Sequence, residues 1–228
     1  MEMTERTLSV LKNFATINSN LVFKPGKVLN TISVAKNILS KAHIDVEIPR
    51  EFGIYDLNRF LALLSTTKGN PDLEFFENYV LIKDTETGRS LKYHYSSPDM
   101  LTSPAKDVIM PENCEVTFKL TSEDLAALKR TAPILGYNEI SITPHEEGKV
   151  KLTVMDIEDP TSDAFSTYAE GTFVTGVNFN FVLNVNNLKI VGESFDVKIS
   201  SKLIANFQSL ESPTEYFIAL EKSSTYGE

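Results

Sequence analysis

From Thr4 to Asn18 the chain reads TERTLSVLKNFATIN. At about 100° per residue, Leu8, Leu11, Phe14, Ala15 and Ile17 gather on one side, with Arg6, Ser9, Lys12, Asn13 and Thr16 on the other. That pattern predicts an amphipathic helix lying on a sheet. Its polar side lacks the Glu–Lys ladder of a solvated helix: apart from Glu5 it carries small polar groups and two cations. The same device recurs. Asp56 to Thr66 predicts a second helix, capped by Asp56, with Leu57, Phe60, Leu61 and Leu64 inward and Arg59, Ala62 and Thr66 on the back. Ser122 to Ala132 predicts a third, capped by Ser122 and ended by Pro133. There Leu125, Leu128 and Ala132 face inward, Ala127 and Arg130 outward, and Lys129 lies near the edge. Asn184 to Val191 predicts a short fourth, with Val185 and Leu188 inward and Asn186 and Lys189 outward.

Between these helices the apolar period falls to two residues. Leu21 to Val34 reads as a hairpin turning at Pro25-Gly26, and His43 to Ile48 as a strand that stops at Pro49. Further strands are expected over 73–76, 79–83 and 90–95 in the first half. The second half carries them over 115–120, 139–143, 150–155, 164–173, 179–183, 195–200, 203–210 and 216–220. Ser96 to Asn113 has three prolines and no sustained period, and reads as a connector. The expected domains are therefore residues 1–110, with the connector at about 96–113, and residues 114–228. Each is of α+β class, with two helices on a curved antiparallel sheet. Asp56-Leu57-x-x-Phe60 and Asp124-Leu125-x-x-Leu128 begin alike, as duplicated halves would.

Charge and chemistry narrow the function. A net charge of −9 repels nucleic acid overall, so any DNA contact must come from a local basic face. One thiol, Cys114, and three scattered histidines, His43, His94 and His145, give neither a disulfide nor metal-ligand spacing. No phosphate-binding glycine loop and no nucleophile or zinc motif occurs, so no catalytic residue, metal or cofactor is expected. Asp156, Glu158 and Asp159, followed by Pro160, read as a solvated hairpin end. No apolar run approaches the ~20 residues of a membrane span.

Three blocks carry a resemblance: Leu11 to Ser19 (LKNFATINS), Tyr55-Asp56-Leu57-Asn58 with Phe60-Leu61, and Tyr216 to Thr225 (YFIALEKSST). With the element order, they resemble the sliding DNA clamps of T-even-like bacteriophages. The resemblance implies a ring-forming homotrimer of two similar clamp domains per subunit, with helices lining a hole for duplex DNA and sheets outside. It implies a processivity factor and not an enzyme. Its partners would be the replicative DNA polymerase, an ATP-driven clamp loader and late-transcription factors, in the cytoplasm of the infected bacterial host. Arg6, Lys12, Arg59, Lys129, Arg130 and Lys189 would then face DNA. A client peptide would dock near the connector and the C-terminal tail, at Met100, Leu101, Val108, Ile109, Met110 and Leu220. Two other readings fit the residues: a single-strand nucleic-acid binder using Phe75, Phe76 and Tyr79, and a virion structural protein.

Overall fold

A threonine opens the first helix of each half. The Thr4 hydroxyl accepts the Thr7 N–H at the start of α1 (Glu5–Ile17), from a backbone at φ −76°, ψ 154°. The structure, a computed structural model, describes all residues except Glu147, Pro160 and Glu228. The turn proline expected after Asp159 and the last residue of the expected second domain thus lie outside the described residues. The chain divides into two units, Met1–Lys106 and Asp107–Glu228.

In the first unit α1 is followed by β1 (Leu21–Phe23), β2 (Gly26–Ile32), β3 (Ile38–Ile48), β4 (Phe52–Ile54) and α2 (Leu57–Leu64). The antiparallel ribbon β5 (Asp72–Phe75), β6 (Tyr79–Lys83) and β7 (Ser90–His94) completes it. Leu21 to Val34 is not a hairpin. β1 pairs with β4, while β2 pairs with β3 through the turn after Ile32. Pro25-Gly26 only redirects the chain, with Gly26 at φ 113°, where a side chain would be strained. The turn after Ile32 carries no glycine signal, because Lys36 takes the left-handed position, at φ 58°.

The core of this unit is built from Leu11 and Phe14 of α1, Leu57 and Phe60 of α2, and the strand residues Phe23, Phe52 and Val80. Val10 and Thr7 of α1 are buried too, so its inward stripe is wider than the sequence pattern. Phe23 and Phe52 stack at 4.5 Å, and burying each such side chain contributes about 1.5–3 kcal/mol. After β7 the chain crosses back. The Ser96 N–H donates to the Gly53 carbonyl, a short 3-10 turn spans Pro98–Met100, and Leu101 enters the core.

The second unit runs β8 (Val116–Leu120), α3 (Ser122–Leu135), β9 (Glu139–Pro144), β10 (Lys149–Val154), β11 (Phe165–Phe173) and β12 (Phe179–Asn184). It continues with β13 (Phe195–Ser200), β14 (Ile204–Ser209), β15 (Thr214–Ala219) and β16 (Thr225–Tyr226). Its strand order is β16-β12-β9-β10-β11-β8-β13-β14-β15. α3 packs on β10 and β11 through Leu125, Leu128 and Ala132. Its cap is Thr121, not Ser122, at φ −74°, ψ 153°, nearly the geometry of Thr4. These two caps are the repeated feature of the halves. The Asp56 and Asp124 match pairs unlike positions, since Asp56 is a cap and Asp124 lies inside its helix. Nor does Pro133 end α3: the helix runs two residues further and stops at Gly136, which is left-handed at φ 80°.

The expected fourth helix is absent. Asn184 takes the Asn186 N–H on its side chain and opens a 3-10 turn of three residues, Val185–Asn187. Leu188 and Ile190 are then both buried with Lys189 exposed between them, in chain that is neither helix nor strand, with Leu188 at φ −79°, ψ 51°. Asparagine side chains that compete for backbone N–H groups, next to β-branched Val185, explain the failure. Each half was expected to hold two helices; the described residues hold two in the first unit and one in the second.

Two outcomes follow. A Cβ on Gly53 would meet the Ser96 carbonyl oxygen and Leu101 Cδ1, each at 2.6 Å, so Gly53→Ala should cost about 1–3 kcal/mol in chemical denaturation. Burial opposes ionisation of Asp84, yet donors from Thr87, Lys68 and Glu86 outweigh it and hold the carboxyl at about 2. A depressed carboxylate stabilises the fold above its unfolded pKa of ~3.9 and loses that contribution as pH falls toward its folded value. Asp84→Asn should therefore lower Tm at pH 7, with the gap to the wild type closing between about pH 4 and pH 2.

Candidate nucleic-acid interface

Once each helix has buried its apolar stripe, its opposite face is fixed. On α1 the exposed residues include Arg6, Ser9, Lys12 and Thr16; on α2 they are Asn58, Arg59 and Ala62. The two helices pack against each other, so Lys12 and Arg59 belong to one helical layer of the first unit. Asp56, beside Arg59 in sequence, is occupied as a cap and accepts the Arg59 N–H at 2.9 Å. Arg6 is engaged: its Nη1 lies 3.0 Å from Asp45 Oδ1. Both side chains are exposed, at 44% and 41%, and such a pair is worth at most about 1 kcal/mol, so a phosphate can compete for the guanidinium.

In the second unit Glu123, in the first turn, and Ala126, Arg130, Pro133 and Ile134 are exposed on α3, and Ala127 is half-buried. Lys129 is half-buried, and that burial pushes its ammonium below the usual lysine range. Lys189 is exposed but does not ride on a helix, since it sits between buried Leu188 and Ile190. This segment is tied to the turn after α3, with the Val185 N–H donating to the Asn138 carbonyl at 2.7 Å. The structure thus places Arg6, Lys12, Arg59, Lys129 and Arg130 on helices, and Lys189 on an irregular segment.

The connector residues divide. Met100 and Ile109 are 83% and 88% exposed, and Val108 and Met110 are half-buried. Leu101 and Leu220 are only 9% and 6% exposed, and so cannot serve as surface anchors. Apolar residues at chain crossings go where a cavity accepts them; here Leu101 fills the space left by the missing side chain of Gly53.

The aromatic run also divides. Phe75 packs on Phe52 at 5.5 Å, whereas Phe76 and Tyr79 stack on each other at 4.6 Å. In sequence these rings are flanked by Glu74 and Glu77 and by no adjacent cation. The β6–β7 register supplies one: Lys92, opposite Leu81, places Nζ 4.3 Å from the Tyr79 ring centroid. Only the strand register could have revealed it.

The Cys114 thiol is pushed up by burial and by neighbouring Glu115, which disfavours the thiolate. Among the described residues no group of three or more His, Cys, Asp or Glu side chains is placed to hold a metal ion. Among the described residues no helix is long and apolar enough to cross a membrane.

Residues 4–87 match the family described as DNA polymerase processivity factor, and residues 117–222 match the gp45 sliding clamp, C terminal. The sliding clamp of Escherichia phage RB69 is 30% identical over 99% of both chains. Those of Enterobacteria phage T4 and Vibrio phage KVP40 are 28% and 29% identical, over 99% and 97% of this chain and 99% of each relative. Among solved structures, PCNA from Thermococcus kodakaraensis is similar with a TM-score of 0.71 at 11% identity, covering 97% of this chain and 99% of that one. Proliferating Cellular Nuclear Antigen from Entamoeba histolytica gives 0.69 at 12% identity over 94% of both chains. Those two likenesses share the clamp fold, and the phage relatives share sequence along its whole length: the chain belongs to the sliding-clamp family of T4-like bacteriophages.

Proposed function

We propose that three copies of this protein close into a ring around duplex DNA and tether the phage replicative DNA polymerase for processive synthesis. The observation that carries the reading is the composition of the outward helix faces: Lys12, Arg59 and Arg130, spaced by Ser9, Ala62 and Ala126. Isolated cations between short side chains give weak, sequence-neutral phosphate contact. A base-edge contact would instead act as a trap of about 1–3 kcal/mol for a sliding protein. The net charge of −9 does not oppose this, because acids more than about 8 Å from the DNA are largely screened at physiological salt.

The ring is loaded by an ATP-driven clamp loader, also serves late transcription, and works in the cytoplasm of the infected host. It performs no catalysis itself. Arg6, Lys129 and Lys189 add charge to the DNA-facing wall. Clients dock on exposed Met100 and Ile109, with Val108 and Met110 beside them. The division of labour is an N-terminal clamp domain, the connector near 96–113 and a C-terminal clamp domain.

A second reading rests on Lys92 over Tyr79: an aromatic–cation pair is the unit of single-strand binding. Tight, salt-sensitive binding of a short oligonucleotide without a loader would favour it.

The solution mass, measured at several concentrations, should approach three times the 25.5 kDa of the chain. Arg59→Glu with Arg130→Glu should keep that mass and reduce processive synthesis by roughly tenfold or more, through lost phosphate contacts. Unchanged processivity would contradict the assignment of these side chains.

A further inference from the structure

The repeat that the two threonine caps begin continues along the helices. Glu5, Ser9, Lys12 and Thr16 on α1 have the spacing of Glu123, Ala127, Arg130 and Ile134 on α3: four, three and four residues. Each set runs along one side of its helix, because seven residues turn the chain by about 700°, close to two full turns. All of these residues but half-buried Ala127 are exposed. The buried stripes match in the same alignment, Thr7 with Leu125, Val10 with Leu128 and Phe14 with Ala132. Lys129 falls where α1 has fully buried Leu11, which explains its half-burial. The two outward stripes therefore share one order of charge: a glutamate in the first turn, then a cation about 10 Å further along the axis.

Neither glutamate is engaged. Among the described residues Glu5 and Glu123 have no ion-pair partner, and neither do Lys12 and Arg130. An acid in the first turn favours a helix through the macrodipole. On α3, however, Asp124 already serves that purpose, held by the hydroxyls of Thr121 and Thr167. Glu123 is surplus to the need, yet it stands on the outward stripe. Electrostatic screening acts over about 8 Å at physiological salt and further at low salt, so a duplex backbone resting on the cation is repelled by the carboxylate of the same stripe. We propose that Glu5 and Glu123 are repulsive spacers in the DNA-facing wall: they hold its affinity for duplex below what the cations alone would give, and so keep a sliding ring from sticking. The proposal rests on the reading of these helix faces as DNA-facing.

The test follows single fluorescent molecules of the full chain on a long duplex with both ends blocked, after loading by the phage clamp loader. Glu5→Gln with Glu123→Gln should slow diffusion along the duplex about threefold at low salt, and the difference should vanish at high salt. Solution mass and helix content should stay those of the wild type. Glu86→Gln, which removes an exposed acid from the turn between β6 and β7, should change nothing. Each single variant should fall between wild type and double variant, and carries the test if the double variant fails to load. Diffusion of the loaded variants at the wild-type rate in low salt, slowing that persists at high salt, or equal slowing by Glu86→Gln would each overturn this proposal alone. A wild type that is never retained between the blocked ends would overturn the enclosure of DNA and the proposal with it.

Discussion

The burial of one apolar stripe per helix is the constraint from which the rest of the molecule follows. Phe14 of α1, Phe60 of α2 and Leu128 of α3 are almost wholly removed from water, and each fixes the rotation of its helix about its own axis. Once that rotation is set, the residues half a turn away have no choice of direction. Arg59 and Arg130 are exposed because Leu57 and Leu128, each two residues earlier and so on the opposite side, are not. A single interaction, apolar side chain against sheet, thereby dictates where a sparse set of cations can point.

The constraint explains which parts of the fold were legible in advance. α1, α2 and α3 were readable because their stripes repeat every three to four residues, and most strands because their burial alternates. What failed did so for local reasons. The segment Asn184–Val191 has a spacing that a helix could use, but asparagine side chains capture the backbone, and Leu188 and Ile190 are both buried in irregular chain. The pairing of β1 with β4 instead of β2 is a long-range choice that turn residues do not encode. Leu101 and Leu220 read as exposed anchors because sequence alone gives no sign of the voids that receive them.

For the cations the sequence was a better guide to identity than to circumstance. It placed Arg6 on a polar face but could not foresee Asp45, thirty-nine residues away, at 3.0 Å. It put Lys129 at an edge, and in the structure that side chain is half-buried.

Holding DNA by enclosure and not by adhesion is the claim on which this account turns. The direct measurement is retention of loaded protein on nicked circular duplex compared with the same duplex cut once, at a salt concentration that suppresses phosphate contacts. Enclosure predicts that protein stays on circles through a high-salt wash and runs off the cut molecules. Equal release from both, or equal retention on both, would contradict it.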